Sequence, residues 1–383
     1  MSSVRPFENR IVALDVLRGF ALFGVLMVNM LDFSGSALRM GTLGMRGTFV
    51  DQLVDALIAM FAIVKFYLLF SFLFGVGFAV QMRRMEASGR PFVGFYLRRL
   101  GVLFIIGIIH AVLIWDGDIL MLYAVAGLLL LFVRNVSTRI LLGIAFAIGL
   151  GGLVLFSFAD MSQMSNMMTT QDSTIFLTGT YGDLVNYRAS QGYMLDIQIP
   201  MVLVMFLLGL VIGRSGVLDH PDQYKPFLRR WWKWMLPVGI MGNVMMIIGF
   251  ADFQSWMVSI GVYVGAPALS FVYGAWVLLY AEKLALLAPV GQMALTNYLS
   301  HSVICTTIFY GYGFGLYDKL APTVTALLVF VIYGAQIVIS RWWMNRFRFG
   351  PIEWVWRSAT YGQIQPICRG VSAQKSQTDA STA

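Results

Sequence analysis

The sequence predicts an all-α, polytopic membrane bundle of about ten transmembrane helices, and three observations predict it. Hydrophobic residues make up 58% of the 383-residue chain and charged residues only 12%, at a mean hydropathy of +0.75. Several apolar runs exceed the roughly 18 residues that mark a membrane-spanning helix. The 27 Lys and Arg cluster between those runs, as the basic excess of cytoplasmic loops requires.

Ten segments follow, at 11–31, 56–80, 100–115, 119–133, 140–158, 197–213, 234–250, 257–280, 291–310 and 321–340. The first is too long for a signal-peptide core and carries Asp15 and Arg18 in its early turns, so it reads as a retained helix. The second runs into the basic cluster Arg83–Arg99. The third and fourth are short, about 15 or 16 residues each against the roughly 20 needed to span a bilayer. They meet at Trp115-Asp116-Gly117-Asp118, a hairpin expected to hold its carboxylates and His110 inside the outer leaflet. The remaining six alternate across the membrane. With the N-terminus in the cytoplasm, 21 of the 27 basic residues lie on the inner side and four in outer loops, which places both termini inside.

The net charge of +8 is thus a topological signal, and nucleic acid is excluded as a partner. Cys305 lies in an apolar run and Cys368 in the polar tail, so no disulfide framework is expected. Two outer segments are longer than turns require, the Gly-rich Asp32–Asp55 and the Met-rich Asp160–Asp196. Within the latter, Tyr181–Tyr193 reads as a helix on the membrane surface or capping the bundle, or else as a solvated connector. Gly350–Tyr361 reads as an interfacial aromatic-basic helix. Residues 1–362 form one integral membrane domain and 363–383 a disordered cytoplasmic tail, Ser/Thr/Gln-rich beyond Ala373. No internal repeat stands out, which counts against an inverted-repeat transporter.

Ionisable groups at membrane depth are costly and mark sites or pairs. Asp15 and Arg18 are three apart and share a helix face. Arg18 either snorkels to the inner headgroups with Asp15 as its partner, or binds the phosphate of a cytoplasmic cosubstrate. Asn29 sits near the outer end of the same helix. Lys65 falls mid-helix and calls for a partner, with Asp116, Asp118 or Asp15 as candidates. His110 is either a satisfied hydrogen-bonder or a general base beside the hairpin aspartates. Asn297 and His301, four apart, either hold the bundle together or line the same cavity. No ligand spacing resembles a zinc motif, so no metal is expected.

The stretches LDVLRGFALFGVLMVN, KFYLLFSFLFGVGFAV and HAVLIWDGDILMLYAVAGLLLL resemble the YeiB-like membrane proteins, the family of the domain of unknown function 418. So do PVGQMALTNYLSHS, FYGYGFGLYDKL and RWWMNRFRFGPIEWVWRSATYG, within a family-defining part at about 214–362. More distantly, the arginine-bearing first helix resembles the transmembrane acyltransferase superfamily. That resemblance implies Arg18 in the site of a cytoplasmic acyl donor such as acetyl-CoA. It also exposes a departure, because the carbohydrate O-acyltransferases carry a catalytic histidine eleven residues after the arginine. Asn29 stands there, and Asp32–Asp55 has no histidine.

The leading expectation is an acyltransferase-like protein of the inner membrane, passing an acyl group to a hydroxyl or amine on the outer side. His110 is its expected base, Asp116 and Asp118 orient the acceptor, and Lys65 stabilises negative charge. No tightly bound cofactor is expected. The partners are membrane lipids and a small-molecule, lipid or glycan acceptor, and a homo-oligomer is compatible with the chain. A proton-coupled metabolite transporter and a non-catalytic sensor or assembly factor are the competing readings.

Overall fold

A computed structural model describes residues 12–35, 47–159, 174–190, 199–217, 221–252 and 254–369. Among these, seven helices or helix pairs are long and apolar enough to cross a membrane. The chain is a multi-pass, all-α membrane protein. Its outer surface is apolar, with Phe132, Phe146, Leu155 and Val331 each more than 60% exposed. Its interior holds Asp15, Lys65, His110, Asn297 and His301. That inversion of the soluble pattern is what lipid as solvent selects.

Helix α1 (Val12–Phe33) lies at the centre. Val16, Ala21, Leu22, Leu26 and Phe33 are fully buried. The second expected segment is two helices, α2 (Phe49–Phe61) and α3 (Lys65–Ala87). α2 begins inside the region read as an outer loop, because Thr48 and Asp51 form a reciprocal capping box there. Val64, at φ +76°, separates the two. A broken helix at membrane depth needs its freed carbonyls satisfied by side chains. Here Lys65 Nζ donates to Ala59 O at 2.9 Å, and Tyr273 Oη to Phe61 O at 2.8 Å.

The hairpin is α4 (Phe92–Leu113) and α5 (Leu120–Val133). The expectation of two short arms fails for the first arm. With 22 residues α4 spans roughly 33 Å, enough to cross. Helix α6 is Thr138–Ser157. In the outer segment, α7 (Thr174–Thr178) and α8 (Tyr181–Ser190) pack against each other, and α8 lies on α4. The capping alternative for that segment is therefore the one realised.

Helix α9 (Ile199–Arg214) packs closely on α3. A Cβ on Gly75 would fall 2.1 Å from Phe206 O, and one on Gly209 2.1 Å from Phe72 O. Small residues let membrane helices approach this way. Helix α10 (Pro221–Ala251) extends the expected seventh segment into the basic loop. Next come α11 (Ser255–Ile260), a π turn over Gly261–Gly265 and α12 (Ala266–Leu279).

The ninth segment is broken into α13 (Ala288–Gln292) and α14 (Ala294–Phe309), separated at Met293. Helix α15 (Pro322–Arg346) and the expected interfacial helix, α16 (Pro351–Tyr361), complete the fold. Residues 363–369, expected as disordered tail, are paired instead. Cys368 bridges to Phe347, and Trp354 Nε1 donates to Gln365 O at 2.7 Å. The rest of that tail lies outside the described residues.

Candidate functional site

The turn after α4 closes on His110, whose carbonyl accepts from both Ile114 N and Trp115 N. Trp115 folds inward against Phe33, ring centroids 4.4 Å apart. Asp118 then reaches back over α4, its Oδ2 accepting from Met121 N at 2.8 Å in the first turn of α5. A carboxylate is favoured at a helix N-terminus. Gly107 makes the approach feasible, because a Cβ there would lie 2.8 Å from Met121 N and 3.0 Å from Asp118 Oδ2.

The sequence places His110 below the hairpin aspartates and out of reach of Asp118 along one helix; the fold-back of the turn brings the two together. His110 Nδ1 lies 2.8 Å from Asp118 Oδ1, and both side chains are 1% exposed. His110 Nε2 lies 2.9 Å from Ser302 Oγ on α14. A carboxylate only accepts, so Nδ1 carries the proton and donates to Asp118. In the neutral imidazole Nε2 is then the acceptor, and the Ser302 hydroxyl donates to it. The result is a buried carboxylate–imidazole–hydroxyl chain that joins the hairpin to α14. Tyr298, one turn before Ser302, sets its ring 5.3 Å from His110, and its buried hydroxyl finds no acceptor.

The tip is covered by protein. Tyr181 Oη of α8 donates to Leu113 O at 2.8 Å. The Arg188 side chain is fully buried, 4.0 Å from Asp116 and 5.8 Å over the Tyr310 ring. Its Nε and Nη2 make no hydrogen bond. Asp116, 32% exposed, stays at the rim. The start of α8 is held by Asp183, which accepts from Thr180 N and Oγ1 at 2.9 and 2.7 Å. Those bonds hold the Asp183 carboxyl below its usual range.

Three expected members stand elsewhere. Lys65 was expected to pair with Asp116, Asp118 or Asp15; its ammonium instead caps the last turn of α2 through Ala59 O. Carbonyls at a helix C-terminus attract a cation, which gives Lys65 a structural partner. Asn297 and His301 were read either as holding the bundle together or as lining the cavity of His110. They face α15: Asn297 Nδ2 donates to Val290 O and Ser340 Oγ, and His301 Nε2 lies 2.6 Å from Gln336 Oε1. Gln336 Nε2 returns to Asn297 O and Ser300 Oγ. Asn29 is half-buried on α1.

At the basic end, Arg18 Nη1 meets Asp15 Oδ1 at 3.2 Å, as the spacing predicts. Asp15 is buried and the Arg18 side chain is 32% exposed. Arg99 lies near enough to Arg18 and Arg357 to feel both charges. Its guanidinium stacks 3.7 Å over Trp356, whose Nε1 donates to Arg99 O. Arg99 and Arg357 thus lie where α4 packs on α16, with Arg18 of α1 within electrostatic range of Arg99. Glu353 ties α16 to the start of α14, accepting from Leu295 N, Thr296 N and Thr296 Oγ1.

Sequence reasoning missed Ser302, Tyr298, Arg188, Arg99 and Arg357. For the first two, the available signal is polarity in an apolar segment, the run Asn297-Tyr298-Leu299-Ser300-His301-Ser302. Nothing in the sequence marks which of its polar groups turns toward α4.

A family model described as a protein of unknown function, DUF418, matches residues 212–363. The uncharacterised protein YxaH of Bacillus subtilis (strain 168) is 37% identical, over 96% of this chain and 99% of its own length. The uncharacterised protein YeiB of Escherichia coli (strain K12) is 32% identical, over 94% and 98%. An uncharacterised protein encoded in the amylase 3′ region of Bacillus acidopullulyticus is 31% identical, over 94% and 96%. No solved structure matches at a significant level.

Proposed function

This chain belongs to the DUF418 family of YeiB-like proteins, and from that premise we propose that it is an acyltransferase of the cytoplasmic membrane. It takes an acyl group from a cytoplasmic donor held at Arg18, Arg99 and Arg357, and passes it to a hydroxyl or amine on the outer side. One observation carries this reading: the His110 imidazole, fixed by Asp118, holds its free nitrogen 2.9 Å from a hydroxyl. That is the arrangement of a general base at a reacting O–H. Its burial excludes the water that would hydrolyse an acyl group.

The inner arginines suit a phosphate-bearing donor, because guanidinium binds phosphate in a bidentate fork. Arg99 and His110 lie eleven residues apart on α4, roughly 16 Å along the axis. A donor anchored by its phosphates needs an extended acyl-bearing arm to reach from one end to the other, and acyl-CoA has that form. The acceptor would enter from the rim of Asp116 and Arg188.

The test uses membrane vesicles containing the full chain, supplied with acetyl-CoA labelled in the acetyl group. Label is followed into lipid and water-soluble products. We expect transfer by the wild type and by His301→Gln, and its loss in His110→Ala and Arg18→Ala. Full transfer by folded His110→Ala would sink the assignment of the base. Translocation of a metabolite without covalent change, and no transfer of label, would replace the enzyme with a transporter.

A further inference from the structure

We infer that Ser302 is a nucleophile that carries the acyl group covalently between donor and acceptor. The inference deepens the acyl-transfer reading and rests on it for the identity of the group carried.

Three observations lead to Ser302. The first is the chain Asp118 Oδ1–His110 Nδ1–His110 Nε2–Ser302 Oγ, at 2.8 and 2.9 Å. A serine is a weak nucleophile until an adjacent base takes its proton, and a base works in one tautomer only when a third group fixes it. Both conditions are met, and the tautomer follows from the carboxylate's inability to donate.

The second is what Ser302 does not do. Serines in helices ordinarily turn their hydroxyl back to the carbonyl one turn earlier. Ser71 bonds Tyr67 O, Ser157 bonds Leu153 O and Ser270 bonds Ala266 O in this way. The Ser302 hydroxyl has one partner, His110 Nε2, on another helix.

The third is the surroundings. Ser302 is fully buried, and Tyr298, one turn earlier on the same helix and packed on His110, has a buried hydroxyl with no acceptor. The tetrahedral intermediate of acyl transfer needs hydrogen-bond donors for its oxyanion, and this O–H is a donor without a partner.

The steps balance with a thioester donor. Ser302 Oγ bonds to the acyl carbonyl carbon while its proton passes to His110 Nε2, giving an imidazolium paired with Asp118. The C–S bond breaks, and the leaving thiolate takes the proton from Nε2, leaving an ester on Ser302. The acceptor hydroxyl or amine then gives its proton to Nε2 and attacks the ester carbonyl. The C–O bond to Ser302 breaks, and Oγ recovers a proton from the imidazolium. No oxidant or metal is required.

A fluorophosphonate probe tests the nucleophile without any knowledge of donor or acceptor. The full-length protein in detergent micelles or native membranes is treated with the probe, and adducts are located by peptide mass spectrometry. We expect phosphonylation at Ser302, absent in Ser302→Ala. The rate should fall on the order of 100-fold in His110→Ala and Asp118→Asn, in line with the loss of a general base. Ser302→Cys supplies a second measurement, because it should retain an acyl group from labelled acetyl-CoA as a hydroxylamine-sensitive thioester. Folded wild-type protein that the probe leaves unlabelled, or labels at another serine, overturns the inference. If Ser302→Ala sustains His110-dependent transfer, the covalent step falls while the general-base reading stands. If His110→Ala and Ser302→Ala both transfer normally, the acyl-transfer site itself is misplaced.

Discussion

Helix α14 carries two buried networks on two faces, and their partners set them apart. His301 and Ser302 are consecutive, both fully buried, and turned about 100° from each other by the helical repeat. His301 looks to Gln336 of α15, which with Asn297 and Ser300 of α14 and Ser340 of α15 forms a network of amides and hydroxyls. Ser302 looks to α4, where an imidazole and a carboxylate continue the chain. In the first network His301 Nε2 meets an amide and Nδ1 makes no hydrogen bond; amides neither gain nor lose protons at ordinary pH, so this network holds two helices together. The second runs from a permanent acceptor through an acid–base group to a hydroxyl, an order that can move a proton. A buried histidine is therefore classified by what its two nitrogens meet.

The largest expected effects break the proton-moving network. His110→Ala should lower acetyl transfer about 10²–10⁴-fold. Asp118→Asn should cost roughly 10³–10⁴-fold, because an amide can donate to Nδ1 and favour the wrong tautomer. Both are read as turnover in vesicles, with thermal unfolding in detergent to establish that the protein is folded. If His301→Gln proves as damaging to turnover as His110→Ala, the contrast between the two faces collapses.

The first network should respond in stability instead. Gln336→Ala removes the partner of His301 Nε2 and the donor to Ser300 Oγ. Leaving buried polar groups unmet costs about 1–3 kcal/mol each. Unfolding in detergent should shift by several degrees while turnover of the folded fraction stays near that of the wild type.

Much of this contrast lay beyond the sequence. Run length and charge clusters located the spans well, because lipid imposes a length and a composition on any helix that crosses it. Breaks within spans were illegible. Val64 sits in an apolar run with no proline or glycine beside it, its break stabilised by the distant Tyr273, and Met293 follows Pro289 and Gly291, which alone do not say that the helix restarts. The hairpin was legible as a site because Asp116, Asp118 and His110 are concentrated there. Its completion by Ser302 was not, since that contact spans 192 residues and depends on which face α14 turns to α4. Lys65 shows the reverse error, a conspicuous charge whose partner is a nearby carbonyl.

Arg188 offers an intermediate test of the outer rim. A buried guanidinium with two nitrogens making no hydrogen bond, and only a long ion pair to Asp116, is a poor contributor to stability. Arg188→Met should leave unfolding unchanged or raise it slightly. If Arg188 serves the acceptor, the same variant should raise the acceptor KM with little change in kcat. A marked loss of stability would instead assign Arg188 to the packing of α8.

The smallest effect concerns the cover over the hairpin. Asp183 closes the first turn of α8 through Thr180, and its carboxyl is held below the ordinary value of 3.8 by those bonds. A carboxylate lowered on folding stabilises the closed turn at pH above its ordinary value, and that support is lost as the pH falls through the lowered one. Hydrogen exchange of the α8 amides should therefore show more opening as the pH drops below about 3.8, and Asp183→Asn should flatten that dependence. The hydroxyl of Tyr181 ties the same helix to Leu113 O, directly over the hairpin turn. Asp183→Ala should accordingly speed fluorophosphonate labelling of Ser302 by a few-fold at neutral pH, with no change in the His301 face. An unchanged labelling rate would mean that α8 does not gate the proton-moving network, and that its access lies between the helices.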